Sequence, residues 1–158
     1  MYAADPSVIA ATAAAFRALG AGATQRDQAC AIFHWVRGNI RFVEDEQLLY
    51  EELGVHPQEL DKELLLVPPV LLRMPEPRGD CDDFSLLIAS MALAAGIRPY
   101  WVTVAVDAAE PQRFSHIYVC VQLADENAHL CLDAGNRLQG VPPGWEPSKV
   151  ARKAIWSV

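Results

Sequence analysis

The first forty residues place apolar and polar positions with the spacing of helices. Residues 6–19 are a predicted helix, because Asp5 can cap it, Pro6 suits its first turn and glycines follow at its end. A second helix is predicted from a cap at Thr24 to a stop near Gly38, with one apolar stripe along it. We expect the second helix to bury that stripe in a core.

The most apolar helix is predicted immediately after the stretch Gly79-Asp-Cys-Asp-Asp83, over residues 81–95. It is apolar nearly all round, which is typical of a helix in the middle of a domain rather than on its surface. We therefore expect the other elements to pack around this helix.

Three β-strands are predicted after the central helix, at residues 97–106, 114–123 and 128–133, with a tight turn at 124–127. An edge strand is expected at residues 153–156. The fold class is therefore α+β, with N-terminal helices and a buried, cysteine-bearing helix packed on an antiparallel sheet. The sheet needs cover on both faces, from the N-terminal helices, the tail or a partner subunit.

The segment between the second helix and the central helix is less regular. A short extended piece is predicted at residues 40–43, followed by an acidic, irregular helix over 44–66 that is interrupted at Pro57. Residues 67–77 hold four prolines, and their missing N–H donors exclude a regular helix or a central strand. This segment is either a stiff surface connection or a rigid wall beside Cys81.

Composition and charge narrow the functional classes. The chain has 158 residues, 52% hydrophobic and 21% charged, which suits a single globular domain over residues 1–158. Its net charge of −7 and lack of a Lys/Arg run predict neither a nucleic-acid partner nor an anionic membrane surface. With no secretory-signal pattern and no apolar run of bilayer length, we expect a cytoplasmic protein with four reduced cysteines.

Cys81 is the first candidate for chemistry. If Asp80 is the N-cap of the central helix, Cys81 is the first helical residue and Asp83 completes a capping box at N3. The helix dipole would favour the thiolate, but the three neighbouring aspartates oppose it, because nearby negative charge raises a thiol pKa. Cys81 therefore needs a histidine to act as a nucleophile.

The second and third strands supply that histidine. Period-two alternation puts these side chains on one face of the hairpin: His116, Tyr118 and Cys120, then His129, Cys131 and Asp133. A turn at residues 124–125 would place His116 opposite Asp133, whereas a turn at 125–126 would pair it with Gly135 and make Asp133 a diagonal neighbour. Either register allows a thiol, an imidazole and an orienting carboxylate, the set used in acyl transfer, with the Cys81 N–H as half of an oxyanion hole.

These residues also fit roles other than catalysis. The thiols of Cys120 and Cys131 could bind zinc with His129 and His116, but the spacing matches no usual zinc module. Packing against the central helix is the favoured role for both cysteines. The aspartates beside Cys81 complement the helix dipole, and a calcium loop lacks the remaining ligands. No metal and no cofactor are predicted.

Three separated stretches together resemble one family. They are GDCDDFSLLIASMALAAGI, then FSHIYV, then LDAG, and they extend over roughly residues 29–133. This order is similar to the transglutaminase-like superfamily within the papain-like cysteine enzymes, especially its small bacterial and phage-associated members. The WVRGNIR and GWEP stretches look similar to those members as well.

The resemblance implies roles for particular residues. Cys81 matches the nucleophile, His116 the general base and Asp133 the orienting acid, acting through a thioester on an amide of a protein or peptide. Hydrolysis of the peptidase or amidase type is favoured over amine crosslinking, and a non-catalytic binding or assembly module is the alternative. The family's second oxyanion donor has no clear match, with three candidates: Trp35, Gln47 and Gln58. The oligomeric state stays open.

Overall fold

A computed structural model of the chain describes residues 1–54, 64–136 and 140–158. Its helices are α1 (Pro6–Ala15), α2 (Gln25–Asn39), α3 (Asp45–Leu53), α4 (Pro68–Leu71) and α5 (Cys81–Ala94), with a 3-10 turn at Phe16–Ala18. Its strands are β1 (Arg41–Phe42), β2 (Arg78–Gly79), β3 (Arg98–Ala105), β4 (His116–Leu123), β5 (Ala128–Leu132) and β6 (Arg152–Ser157).

Helix α5 lies at the centre of the fold, as its apolar sequence predicts. It packs against α1, α2 and α4 on one side and against β3 and β4 on the other. Its buried side chains come from all round the helix and include Phe84, Leu87, Ile88 and Met91. A helix without a polar face can be stable only in such surroundings, because every exposed position would leave apolar surface in water.

The main sheet has the strand order β5-β4-β3-β6, and all of its neighbouring strands are antiparallel. The expected α+β class with an antiparallel sheet is confirmed. The tail strand β6 forms one edge by pairing with β3. Two shorter strands, β1 and β2, pair in parallel, and β2 ends just before α5.

The prediction for the proline-rich segment is wrong in one respect. Pro68 and Pro69 open the one-turn helix α4 instead of excluding helix altogether. The first turn of a helix has no intrahelical acceptors for its N–H groups, so proline fits there. The predicted interruption at Pro57 lies outside the described residues.

The two faces of the sheet are covered by different parts of the chain. The helices α1, α2 and α5 cover the face that carries Val119, Val121 and Leu132. The opposite face, which we call the far face, carries Tyr118 and Cys120 and is covered in part by the tail. There Val150 packs on the apolar cluster, Gly144 N–H donates to the Cys131 carbonyl at 2.7 Å, and the Tyr118 hydroxyl donates to Glu146 at 3.2 Å.

The β4–β5 register decides between the two predicted turns. Val119 faces Leu132 and Leu123 faces Ala128, which corresponds to the turn at residues 125–126. Continued to the end of the hairpin, this register makes Asp133 a diagonal neighbour of His116. Asn127, with a positive φ of 49°, closes the turn in the left-handed conformation that asparagine tolerates.

The same register puts Cys120 directly opposite Cys131, and the two form a disulfide. The expectation of four reduced cysteines is therefore wrong for this pair, while Cys30 and Cys81 stay outside any disulfide. The predicted packing of Cys120 and Cys131 against the central helix is also wrong, because both lie in the far-face cluster with Val102. The cytoplasmic location stays a prediction. None of the described helices is both long and apolar enough to cross a membrane.

Candidate active site

The first turn of α5 is built around a buried carboxylate. Asp80 is the N-cap and accepts from the Asp82 N–H at 3.3 Å, while Asp83 at N3 accepts from the Asp80 N–H at 3.2 Å. The predicted capping box is therefore confirmed. The other oxygen of Asp83 accepts from the Leu66 N–H at 2.6 Å, which ties the preceding loop to the helix. Gly79 leaves room for this, since a Cβ there would fall on the Asp83 carboxylate.

Cys81 follows as the first residue of α5, with its side chain partly buried. Burial is the main cause that raises the pKa of its thiol, to about 12. A hydrogen bond from the Ile117 N–H lowers this pKa, and the negative charges of Asp80 and Asp82 raise it. The surroundings of Cys81 thus favour the thiol over the thiolate, more strongly than the flanking aspartates alone suggest.

Helix α5 is also tied to the strand that carries the histidine. The Ser85 hydroxyl lies 2.6 Å from the Cys81 carbonyl and 3.2 Å from the Ile117 carbonyl, one turn into the helix. Because Ile117 follows His116 directly, these contacts hold the start of β4 against the start of α5. The two elements therefore meet at the end of the sheet.

His116 and Asp133 are brought together by the hairpin. The His116 Nε2 lies 2.9 and 3.0 Å from the two oxygens of Asp133, and the side chains are 18% and 1% exposed. A carboxylate only accepts, so this contact places the ring proton on Nε2 and leaves Nδ1 as the basic nitrogen. Asn136 Nδ2 donates to the same carboxylate at 2.8 Å and helps to orient it.

The loop after β5 passes very close to the helix start. A Cβ on Gly135 would lie 3.2 Å from the Cys81 Cα and 3.2 Å from the Phe84 Cβ. A larger residue there would push the loop that carries Asp133 away from Cys81. Glycine at this position therefore lets the loop pass the helix start without displacing Cys81 or Phe84.

A cleft of about 920 Å³ opens where these elements meet. Cys81 and His116 both line it, and Asp133 lies behind His116. Three aromatic side chains also line the cleft: Phe42, Phe114 and Trp145. A pocket of this volume lies at the upper end of the range for small-ligand sites and has room for several residues of a peptide.

Solved structures share this architecture. A TGase has 15% identity to the chain and a TM-score of 0.55, over 92% of this chain and 34% of that one. A candidate cysteine protease from Cytophaga hutchinsonii has 15% identity and a TM-score of 0.51, over 96% and 47%. The chain has a transglutaminase-like fold. No protein-family model and no curated protein matches the sequence.

A third structure with the transglutaminase-like fold is that of a candidate protease from Parabacteroides distasonis. It has 12% identity and a TM-score of 0.52, over 89% of this chain and 25% of that one. The chain thus spans between a quarter and half of the length of these three proteins. At these identities the likeness is one of fold.

The expected second oxyanion donor is not at any described candidate. Trp35 packs against the helical core, and Gln47 is exposed and donates to Glu51 at 2.7 Å. Neither side chain is among the described residues that line the cleft. Gln58 lies outside the described residues. The backbone N–H of Cys81, in the first turn of α5, stays the predicted donor.

The sequence gives two metal alternatives, zinc on the hairpin and calcium at Asp82 and Asp83. The zinc alternative is wrong for this structure, because the disulfide consumes the thiolates of Cys120 and Cys131 that zinc would need. Among the described residues, Asp45, Asp80 and Asp83 bring carboxylate oxygens within 4.8 Å of one another. This spacing could hold a divalent cation, but oxygens of Asp45 and Asp83 already accept backbone N–H groups.

Sequence reasoning missed Asn136 and the spatial role of Gly135. Gly135 and Asn136 lie two and three residues after Asp133, beyond the end of the strand, where alternation makes no prediction about side-chain direction. The sequence showed the glycine only in the LDAG stretch and as a register partner of His116, not as a residue that approaches the helix start. The asparagine gave no sequence signal of its own.

Proposed function

We propose that this chain is a cysteine-dependent acyl-transfer enzyme with Cys81 as nucleophile, His116 as general base and Asp133 as orienting acid. The observation that carries the proposal is the hydrogen bond between His116 and the buried Asp133, at the wall of the cleft that Cys81 also lines. The transglutaminase-like fold supports it.

The proposed reaction starts with the neutral thiol. His116 Nδ1 accepts the thiol proton as the sulfur of Cys81 attacks an amide carbonyl, and Asp133 stabilises the imidazolium that forms. The Cys81 N–H donates to the developing oxyanion. His116 then gives its proton to the leaving amine, which breaks the C–N bond and leaves a thioester. Water attacks the thioester with His116 as base, and a carboxylic acid and the thiol are released.

Hydrolysis of a protein or peptide amide is favoured over transfer to an amine. Because the pKa of the Cys81 thiol is raised, little thiolate is present at neutral pH. The mechanism therefore starts from the neutral thiol. The raised pKa also favours the second candidate function, a binding or assembly module that keeps the fold without the activity. The two functions differ in turnover.

A peptide library prepared from a cell proteome tests the proposal. We expect wild type to generate new peptide N-termini, and Cys81→Ala to generate none. Cys30→Ser is the matched control, because Cys30 is outside the cleft and its loss should leave turnover intact. A biotinylated primary amine is added in a parallel reaction.

Each outcome decides between the alternatives. New N-termini without biotinylated products support hydrolysis. Biotinylated peptides in place of new N-termini would overturn hydrolysis in favour of amine crosslinking. If folded wild-type protein gives neither product and no deamidated side chain, the enzyme proposal is overturned and the binding module remains.

A further inference from the structure

Acidic side chains greatly outnumber basic ones in the lining of the cleft. Seven acidic residues line it, against a single arginine, Arg113, within the described part of the chain. Arg113 is 78% exposed and lies 3.8 Å from Glu110, so these two opposite charges partly offset each other and six further acids remain in the lining. The whole chain has a net charge of −7. For its area, the cleft is therefore more negative than the protein as a whole.

Four of these acids come from two separate elements. Glu44 and Glu46 lie at the start of α3. Asp107 and Glu110 lie in the loop between β3 and β4. Cys81 lines the same cleft. A substrate that reaches the thiol therefore enters a cleft that is acidic on more than one element.

The lining also suits the stem of a long cationic side chain. Phe42 and Trp145 line the cleft beside the acids and offer apolar surface to methylene groups and ring faces to a cation. Phe114 already holds a guanidinium, since the Arg152 Cζ lies 4.9 Å from its ring centre. Arg152 itself is not among the described residues that line the cleft.

The acids at the start of α5 add less charge than the others. Burial and then the interaction with Asp82 raise the pKa of Asp80 to about 7, so this carboxyl is partly protonated at neutral pH. A cationic ligand would favour the ionised form of Asp80, whereas an anionic ligand would oppose it. Electrostatic complementarity of this kind selects partners and speeds their encounter.

We propose that the cleft selects protein or peptide segments that carry a lysine or arginine beside the amide to be attacked, held by the acids of α3 and those of the β3–β4 loop. This inference rests on the proposed function for the identity of the reacting amide. The charge preference itself does not require turnover, so the two can fail separately.

Charged thiol reagents measure the preference without a known substrate. In a Cys30→Ser background, Cys81 is treated with a trimethylammonium-ethyl or a sulfonatoethyl methanethiosulfonate, and each rate is divided by that reagent's rate with mercaptoethanol. We expect the cationic reagent to be favoured about tenfold at low salt, and this ratio to fall towards one in 0.5 M NaCl, on the order expected for screened charges.

Variants that neutralise single acids of the cleft show which residues cause the preference for the cationic reagent. Glu46→Gln, Asp107→Asn and Glu110→Gln should each lower the ratio roughly twofold, and the triple variant about eightfold. The matched control is Asp125→Asn, which removes the same charge at the opposite end of β4, where asparagine can still accept from the Gln25 N–H. A wild-type ratio near one, or an equal loss in Asp125→Asn, would overturn the proposal.

The peptide library supplies the second arm. Cleaved peptides should carry Lys or Arg next to the cleavage site several-fold more often than the library does, and the triple variant should lose this enrichment. Cleavage without the enrichment would overturn the substrate assignment and leave the proposed function standing. A high reagent ratio without any turnover would overturn the proposed function and leave the charge preference standing. Protection of Cys81 by spermidine, without Lys/Arg enrichment, would assign the cleft to free polyamines and overturn the peptide assignment.

Discussion

The two faces of the sheet are stabilised in different ways. On the helical face, 21 buried side chains form one apolar cluster, whereas the far-face cluster has five among the described residues. The far face instead has a disulfide and polar contacts to the tail. A small apolar cluster provides little burial energy, so covalent and polar contacts carry more of its stability.

The candidate site depends on both faces at once. Cys81 belongs to the helical layer, whereas His116 packs beside Tyr118 of the far face and contacts Asp133. The geometry of the proposed triad is therefore set by the register of β4 and β5 as much as by the helix. A substitution on one face can be distinguished from a substitution on the other by measuring whether it changes stability, turnover or both.

The largest effect is expected from Asp133→Asn, which keeps the shape of the side chain but removes its charge. An amide cannot stabilise the imidazolium or fix the same tautomer, so kcat should fall on the order of a thousandfold or more. The rate is measured on a peptide found in the library. Asn136→Ala, which removes a donor to that carboxylate, should cost about tenfold. A value of kcat within threefold of wild type in Asp133→Asn would remove Asp133 from the mechanism.

The helical face is tested by Leu87→Ala. Leu87 is fully buried on α5, and its truncation should lower the free energy of unfolding by about 3 kcal/mol, from lost burial and the cavity that remains. Urea unfolding followed by tryptophan fluorescence measures this loss. It should be the same with and without reductant. A loss below about 1 kcal/mol would show that the helical face is not the main core.

The far face is tested by breaking the disulfide. Cys120 and Cys131 are 11 residues apart, and opening so short a loop should cost about 3 kcal/mol of stability through the entropy of the unfolded chain. Dithiothreitol should therefore lower the urea midpoint of wild type and of Cys30→Ser alike. The variant Cys120→Ala/Cys131→Ala should start at the lower midpoint and not respond. An unchanged wild-type midpoint in reductant would contradict the role of the disulfide.

A smaller effect is expected from pH at the start of α5. Burial raises the pKa of Asp83 from its ordinary 3.8 to about 7. The folded state then holds a proton that the unfolded state has lost, so this group's contribution to stability is complete below pH 4 and falls as pH rises through 7. The stability gap between wild type and Asp83→Asn should therefore shrink by about 1 kcal/mol between pH 6 and 8.

The matched control for this prediction is Asp27→Asn. Asp27 occupies the same N3 capping-box position in α2, but it is exposed, and its hydrogen bonds to Thr24 lower its pKa. Its contribution to stability is present above pH 4 and is lost only as pH falls below that value. The gap for Asp27→Asn should therefore be flat between pH 6 and 8. A flat gap for both variants would show that Asp83 is an ordinary carboxylate.

The sequence predicts the elements well where a strong pattern exists. The apolar α5, its capping box and the hairpin that follows all come from local spacing, and the structure confirms them. The register of the hairpin could not be chosen from sequence, because residues 124–127 allow two turns that keep His116 and Asp133 on one face. The choice between these two turns decides which residues of β4 and β5 lie opposite each other.

The disulfide follows from this register and was missed for the same reason. Cys120 faces Cys131 only when the turn is at residues 125–126, and the alternative turn would place it opposite His129. The raised pKa of Cys81 was missed in part as well, because its main cause is burial by distant parts of the chain. Neither tertiary burial nor register is encoded in local spacing.

Alkylation of Cys81 by iodoacetamide tests the central claim most directly. In a Cys30→Ser background, the rate is followed from pH 5 to 9 in wild type and in His116→Ala. If His116 takes the proton during attack, Cys81 should react at pH 7 at least about a hundredfold faster in wild type, whereas the variant keeps a buried thiol with a strongly raised pKa. Equal, ordinary-thiol rates in both proteins would contradict the account.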